Sequence, residues 1–217
     1  MTGNRAAAAA IPAEEWQRRM ERAFAQAGLE TQAVQRQRWA AYLARLAQWN
    51  ARRRLLGDSE PQQWIERHLI ESLWLAREMA ISGRALLDLG SGGGFPGLAL
   101  AIGYAPVYTT LVELNQTKAA FLRQEIAAQQ LPGVVIEQDA RKLKASKADV
   151  VTVRALEQIA DLPRWAGNYL NPDGLMAAWV NRELYDAWAA EYYQWKWLHF
   201  INLPSAERRG IGLAQMV

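Results

Sequence analysis

The strongest constraint on the fold comes from residues 86–97, which read LLDLGSGGGFPG. A short apolar run ends in an aspartate, and a turn dense in glycine follows it. Glycine adopts left-handed backbone conformations easily and lets a bound molecule approach the main chain closely, because no side chain intervenes. The segment therefore predicts a buried strand followed by a turn that holds a nucleotide-like ligand.

From Arg84 onward, short apolar runs alternate with helical patterns. This alternation is typical of a parallel sheet covered by helices, so we predict the α/β class with a doubly wound, mostly parallel sheet. The predicted strands are 85–89, 108–114, 134–137, 149–153 and 175–180, with a closing strand pair at 195–203 and 211–217. The predicted helices begin at Gly97 and cover 116–130, 161–169 and 183–193, and a turn is expected at 171–174.

The part of the chain before Arg84 is rich in helix-forming residues. We predict helices over 13–27, from the Thr31 cap to about Ala51, and from a capping box at 59–62 to near Gly83. Proline at the third residue of that box is well placed, because its missing N–H costs least at the start of a helix. The expected organisation is a loose tail at 1–12, a helical extension at 13–83 and a ligand-binding domain at 84–217.

Composition excludes several chemistries. The 217 residues contain no cysteine, so disulfides, thiolate nucleophiles and cysteine metal sites are excluded, and only two histidines make a histidine-rich metal site improbable. The net charge of +3 is compatible with an RNA partner without arguing strongly for one. No apolar run approaches the ~20 residues of a membrane span, and we expect a cytoplasmic monomer without a metal site.

The glycine turn fits two ligand-binding patterns. Counted from Asp88, it matches acid-x-Gly-x-Gly-x-Gly, which is typical of methyltransferases that use S-adenosylmethionine; counted from Gly92, it matches the Gly-x-Gly-x-x-Gly of dinucleotide folds. The register favours S-adenosylmethionine, because an acid ends the strand and this cofactor has no phosphate to repel it. A dinucleotide oxidoreductase and a turn without ligand remain as alternatives. The predicted cofactor-binding residues here are Asp88, Gly90, Ser91, Gly92, Gly94 and Phe95.

Three further strand ends carry candidate side chains. Glu113 follows the second strand, where a carboxylate can accept hydrogen bonds from two ribose hydroxyls. Asp139 and Ala140 follow the third strand and are placed to meet an adenine ring, although an ordinary turn aspartate is nearly as good an explanation. Arg154 ends the fourth strand, where it either orients a substrate by holding its phosphate or stacking on its base, or forms a salt bridge at the rim.

These residues together resemble one family, the bacterial small-subunit ribosomal RNA methyltransferase G, also called glucose-inhibited division protein B. The likeness extends from about Trp39 to the end of the chain. It depends on the segments 49–50 (WN), 67–72 (RHLIES), 88–97 (DLGSGGGFPG), 118–122 (KAAFL) and 154–155 (RA). The resemblance implies a class I methyltransferase sheet with an N-terminal helical extension, S-adenosylmethionine as cofactor, and methyl transfer to N7 of a guanine in 16S rRNA of the small ribosomal subunit.

Guanine N7 has a free lone pair and no proton, so the implied reaction needs alignment more than a general base. Arg154 is then the residue expected to orient the substrate and to border the cofactor. The residues expected to bind RNA are Arg54, Arg67, His68, Lys118 and Arg208. A solvated basic face is the alternative explanation for the arginines around 52–54 and 67.

The chain departs from the family pattern mainly on the side expected to face the substrate. Arg54-Leu55-Leu56 stands where the family has Asn-Leu-Thr, and Glu71 and Val153 replace an aspartate and a serine. A lysine at the end of strand five is replaced by Val180 or Asn181. Two alternatives therefore stay open: a methyltransferase with another RNA or small-molecule acceptor, and a non-catalytic relative that binds cofactor or ribosome.

Overall fold

The computed structural model describes residues 2–57, 60–144, 147–204 and 206–217. Its centre is a seven-stranded sheet with the order β3-β2-β1-β4-β5-β7-β6. β1 to β5 are parallel, and β7 runs antiparallel to both β5 and β6. The predicted α/β class with a doubly wound, mostly parallel sheet is confirmed. The strands are β1 (Ala85–Leu89), β2 (Tyr108–Val112), β3 (Gly133–Ile136), β4 (Ala148–Arg154), β5 (Leu170–Asn181), β6 (Trp195–Leu203) and β7 (Ala206–Met216).

Helices cover both faces of the sheet. They are α1 (Thr2–Ala9), α2 (Ala13–Ala27), α3 (Ala33–Arg52), α4 (61–77), α5 (Gly97–Tyr104), α6 (Gln116–Ala128), α7 (Leu162–Trp165) and α8 (Arg182–Glu191). Within α4 the winding changes, because its central turns Trp64–Ile70 are π-helical and its last turn Trp74–Arg77 is a 3-10 turn. Pro61 begins α4 as predicted, whereas Ser59 of the predicted capping box lies outside the described residues.

Some predicted boundaries differ from the structure. The N-terminal segment is the helix α1 rather than a loose tail, because its alanine run favours helix and Ala8 is small enough to be buried in the core. The cap of α3 is Gln32, which exchanges hydrogen bonds with Gln35, rather than Thr31. The turn expected at 171–174 lies inside β5, where the pairing with β4 shifts register and Asp173 has a φ of 62°.

The two faces of the sheet carry separate apolar clusters. Leu86 of β1 belongs to the cluster with α3 and α5, whereas Leu87 and Leu89 belong to the cluster with α7 and α8, as expected for alternating side chains. Trp39 of α3 is fully buried and donates a hydrogen bond from Nε1 to the carbonyl of Ala99 in α5, at 2.9 Å. The helical region before β1 thus forms the cover of one sheet face.

Candidate functional site

A cavity of about 710 Å³ opens at the carboxyl ends of β1, β2, β3 and β4. In open α/β sheets this edge is where ligands bind. Four segments of the chain form most of its wall: the glycine turn after β1, the turn after β2, the turn after β3 and the loop after β4. Residues 55–57, which follow α3, and the side chain of His68 complete it.

The glycine turn after β1 contains three residues in a left-handed backbone conformation. Gly90, Gly92 and Gly94 have φ values of 79°, 57° and 106°, a region that side chains disfavour. The N–H groups of Gly90 and Ser91 both donate to the carbonyl of Val112 at 2.9 Å. The glycines of the predicted methyltransferase pattern are therefore needed for their left-handed backbone conformations. The two hydrogen bonds to Val112 hold the turn at the end of β2.

Asp88 lies beneath this turn and is fully buried. Its Oδ1 accepts a hydrogen bond of 2.7 Å from Thr152, and its side chain packs so closely against Gly97 that a Cβ there would lie 2.3 Å from Asp88 Cβ and 2.6 Å from the carboxyl carbon. Burial raises the pKa of Asp88 to about 6, against the effect of the Thr152 hydrogen bond. The acid occupies the N-terminal end of α5, the place that a pyrophosphate takes in dinucleotide folds, which favours the methyltransferase interpretation of the turn.

The cavity wall includes only part of the predicted cofactor set. Gly90, Ser91, Gly92, Phe95, Glu113, Asp139, Ala140 and Arg154 line it. Asp88 and Gly94 are not among the lining residues, and Asp88 lies fully buried beneath the turn. At Gly94 the space toward the core is already filled, since a Cβ there would lie 2.8 Å from the Tyr42 hydroxyl.

Tyr42 supports the turn from below, a role that the sequence did not reveal. Its hydroxyl donates a 2.6 Å hydrogen bond to the carbonyl of Gly93, and burial raises the pKa of Tyr42 well above its ordinary value, so the hydroxyl keeps its proton. The sequence predicts the helix that carries Tyr42 but does not indicate this contact. The carbonyl it binds belongs to a loop 51 residues away, a pairing that only the fold specifies.

The loop between α3 and α4 borders the same turn. The Asn50 side-chain oxygen accepts hydrogen bonds from the N–H groups of Leu55 and Leu56, at 2.8 and 2.9 Å. The Leu56 side chain contacts the turn closely enough that a Cβ on Gly93 would lie 2.8 Å from it. Asn50, singled out by the resemblance, thus orders a loop that forms one side of the cavity.

Glu113 follows β2 and is 8% exposed. Its Oε2 accepts a 2.8 Å hydrogen bond from the N–H of Gly92, and its Oε1 accepts a 2.7 Å hydrogen bond from the N–H of Asn115. Each carboxylate oxygen has further acceptor capacity that can face the cavity. Glu113 therefore both fixes the glycine turn and offers a charged acceptor at the position predicted for ribose hydroxyls.

Asp139 and Ala140 follow β3 and both line the cavity. The Asp139 carboxylate accepts from the backbone N–H of Arg141 at 3.0 Å and pairs with its guanidinium at 2.7 Å. These hydrogen bonds lower the pKa of Asp139 to about 2, so it is ionised at neutral pH. Arg141 also donates a 2.6 Å hydrogen bond to Gln158, which connects this turn to the loop after β4.

Arg154 ends β4 and forms the rim salt bridge that was one of its two predicted roles. Its guanidinium pairs with the fully buried Glu71 of α4 at 2.8 Å and also donates to the backbone carbonyls of Arg67 and His68. A second arginine, Arg209 of β7, pairs with the other Glu71 oxygen at 3.1 Å. The sequence marks Glu71 as a departure from the family pattern and predicts RNA binding by Arg208 rather than by its neighbour Arg209.

The residues expected to bind RNA fall into two groups. His68 and Lys118 line the cavity, and the His68 ring stacks on Phe95 of the glycine turn with a centroid distance of 5.3 Å. Arg54, Arg67 and Arg208 are exposed and lie outside the cavity wall. The cavity therefore brings together only two of the five residues predicted to bind RNA.

Two absences hold for the described part of the chain. Among those residues no helix has both the length and the apolar character that crossing a membrane requires. The same residues contain no group of three histidine, cysteine, aspartate or glutamate side chains that could hold a metal ion.

Solved structures with this fold include several methyltransferases. A methyltransferase from Pyrococcus furiosus aligns with a TM-score of 0.59 at 14% identity, covering 68% of this chain and 82% of that one. An S-adenosylmethionine-dependent methyltransferase from Clostridium acetobutylicum aligns with a TM-score of 0.56 at 14% identity, covering 71% and 95%. The sheet order and the turn after β1 thus define a class I methyltransferase fold.

The sequence comparisons define the family. The model of the family described as rRNA small subunit methyltransferase G matches residues 35–206. The enzyme of that name from Paramagnetospirillum magneticum is 36% identical over 176 residues, which is 81% of this chain and 84% of the relative. The one from Neisseria meningitidis serogroup C (strain FAM18) is 34% identical over 166 residues, or 76% and 79%. The chain belongs to the rRNA small subunit methyltransferase G family.

Proposed function

We propose that this chain transfers the methyl group of S-adenosylmethionine to N7 of a guanine in 16S rRNA of the small ribosomal subunit. The observation that carries the proposal is the cavity at the carboxyl ends of β1 to β4, where the glycine turn, Glu113 and Asp139 form one continuous wall. Family membership supports the choice of RNA as the acceptor class.

The residues of the wall fit the cofactor chemically. A Cβ on Gly92 would meet, among the described residues, only the Gly90 carbonyl oxygen, at 3.9 Å. Carboxylates at Glu113 and Asp139 suit ribose hydroxyls, an adenine amino group and a cationic sulfonium. When bound, S-adenosylmethionine supplies an electrophilic methyl group, and the chain holds the two reactants in line.

The chain's own contribution to the reaction is binding and orientation. Guanine N7 presents a lone pair, so no side chain has to remove a proton before attack. His68 and Phe95 stack on each other at the cavity wall, where planar rings can stack with a base. Arg154, fixed by Glu71, places its positive charge at the rim, where an RNA substrate would enter.

The decisive experiment uses methyl-labelled S-adenosylmethionine and small ribosomal subunits from a strain that lacks its own enzyme of this family. We expect one labelled N7-methylguanine in 16S rRNA after nuclease mapping. Label elsewhere would support a different acceptor, and cofactor binding without transfer to any RNA would support a non-catalytic relative. Binding of NADH without binding of S-adenosylmethionine would overturn the proposal entirely.

A further inference from the structure

The cluster formed by Glu71, Arg154 and Arg209 is more than a structural ion pair. The Glu71 carboxyl group is fully buried, and each of its two oxygens accepts from a different guanidinium group. Arg154 is 11% exposed at the side chain and lines the cavity, whereas Arg209 is 41% exposed and lies beyond it. One buried acid therefore holds two arginines, one at the cavity wall and one facing outward.

Strand register fixes where these two arginines lie. Arg154 of β4 pairs with Trp179 of β5, and Asn181, two residues further along β5, pairs with Arg209 of β7. One strand separates the two arginines, at the edge of the sheet where the parallel strands end. The Trp179 indole N–H donates to the Glu71 carbonyl at 3.0 Å, which fixes Glu71 above that intervening strand.

Arg209 keeps part of its positively charged guanidinium group in contact with solvent, where a negatively charged phosphodiester can approach it. Arginine offers five N–H donors in a planar fork that suits phosphate oxygens. A phosphate oxygen can reach the exposed part of the Arg209 guanidinium group. If Glu71 served stability alone, an ion pair with the less exposed Arg154 would be sufficient.

We propose that Arg209, held by Glu71 beside Arg154, binds a backbone phosphate of the RNA next to the target nucleotide. Glu71 is then a positioning residue, which orients both guanidinium groups without touching the substrate. This inference rests on the proposed RNA methyltransferase function, and it adds one contact outside the cavity that neither composition nor motif suggested.

The test measures steady-state kinetics and the salt dependence of binding to unmethylated small subunits. For Arg209→Ala we expect KM for the subunit to rise about tenfold with kcat changed less than twofold and the Kd for S-adenosylmethionine unchanged. The slope of log K against log salt should become shallower by about one, since one phosphate contact is lost. Arg18→Ala, the same change on the exposed surface of α2, is the control and should change none of these values.

Two more variants separate positioning from charge alone. Arg209→Lys should restore the salt slope but only part of the KM, because lysine keeps the charge without the fork. Glu71→Gln raises the net charge of the cluster, so a purely electrostatic role would lower KM, whereas positioning predicts a KM several-fold higher. If Glu71→Gln fails to fold, the comparison of Arg209→Ala with Arg209→Lys still tests the phosphate contact.

The outcomes distinguish this inference from the proposed function. Methyl transfer by the wild-type protein together with an unchanged KM and salt slope for Arg209→Ala would overturn the phosphate site alone. Absence of transfer by the wild-type protein would overturn the proposed function before any variant is compared. Equal loss of kcat and of cofactor binding in Arg209→Ala would assign the residue to stability and likewise refute the phosphate contact.

Discussion

Glu113→Gln tests how the glycine turn and the cofactor are coupled. In the wild type the N–H groups of Gly92 and Asn115 donate to opposite oxygens of the same carboxylate. Glutamine keeps one oxygen and presents an NH2 group to the other donor, so one of the two hydrogen bonds is lost. In the free variant the glycine turn can shift so that the donor without an acceptor is hydrated. Cofactor binding must then return the turn to its original conformation.

The expected loss of affinity follows from that arrangement. Leaving a buried donor without an acceptor costs about 1–3 kcal/mol, and a central value of about 2 kcal/mol corresponds to a roughly thirtyfold weaker Kd. We therefore expect calorimetric titration of S-adenosylmethionine to give a Kd about thirtyfold higher for Glu113→Gln. The lost carboxylate charge toward the ribose hydroxyls acts in the same direction.

A matched control exists at the neighbouring strand end. Glu137 follows β3 as Glu113 follows β2, but it pairs with Arg123 on the surface and does not line the cavity. Glu137→Gln should leave the Kd within twofold of the wild type. A Kd for Glu113→Gln within threefold of the wild-type value, in a protein with unchanged thermal unfolding, would refute the coupling between the turn and the cofactor.

Three further predictions concern the support beneath the turn. Burial raises the pKa of Asp88 from 3.8 to about 6, so the folded state binds this proton more tightly than the unfolded state does. The free energy of unfolding should therefore fall by about 3 kcal/mol as pH rises from 4 to above 6. Denaturant titrations at several pH values should show that Asp88→Asn removes this fall. Gly97→Ala should destabilise the fold by ~1–3 kcal/mol through overpacking against Asp88, whereas Gly57→Ala, whose added Cβ meets no atom of the described residues within 4 Å, should leave the melting temperature unchanged. Tyr42→Phe should cost ~1–2 kcal/mol of stability by removing the hydrogen bond to Gly93, and an unchanged denaturation midpoint would contradict that role.

The sheet and the turn were predictable because they depend on local sequence signals. Apolar runs of strand length, the glycines at 90, 92 and 94 and the acid before them are each readable without knowing what lies across the fold. Glu113 was predictable for the same reason, since strand ends of a parallel sheet meet at one edge. The carboxyl ends of β1 and β2 do meet there, and Glu113 touches the turn.

The residues that were missed act across long sequence distances. Arg209 reaches Glu71 across 138 residues, and nothing in either segment distinguishes Arg209 from its neighbour Arg208. Strand alternation decides which of the two side chains points toward Glu71, and that depends on the register of β7 against β5. For Asp88 the motif predicts cofactor binding but does not indicate that the side chain is fully buried against Gly97.

The separation of a cofactor-binding half from a substrate-binding half, which the sequence suggested, does not hold in the cavity wall. Leu56 differs from the family pattern in a segment expected to face the substrate, yet it lines the cavity together with Leu55 and packs against Gly93 of the glycine turn. The loop that carries them is ordered by Asn50 at the end of α3, and Tyr42 on the same helix holds that turn from below. Because one helix supports both the turn and the loop, a substitution in the loop that alters acceptor choice should also alter cofactor affinity.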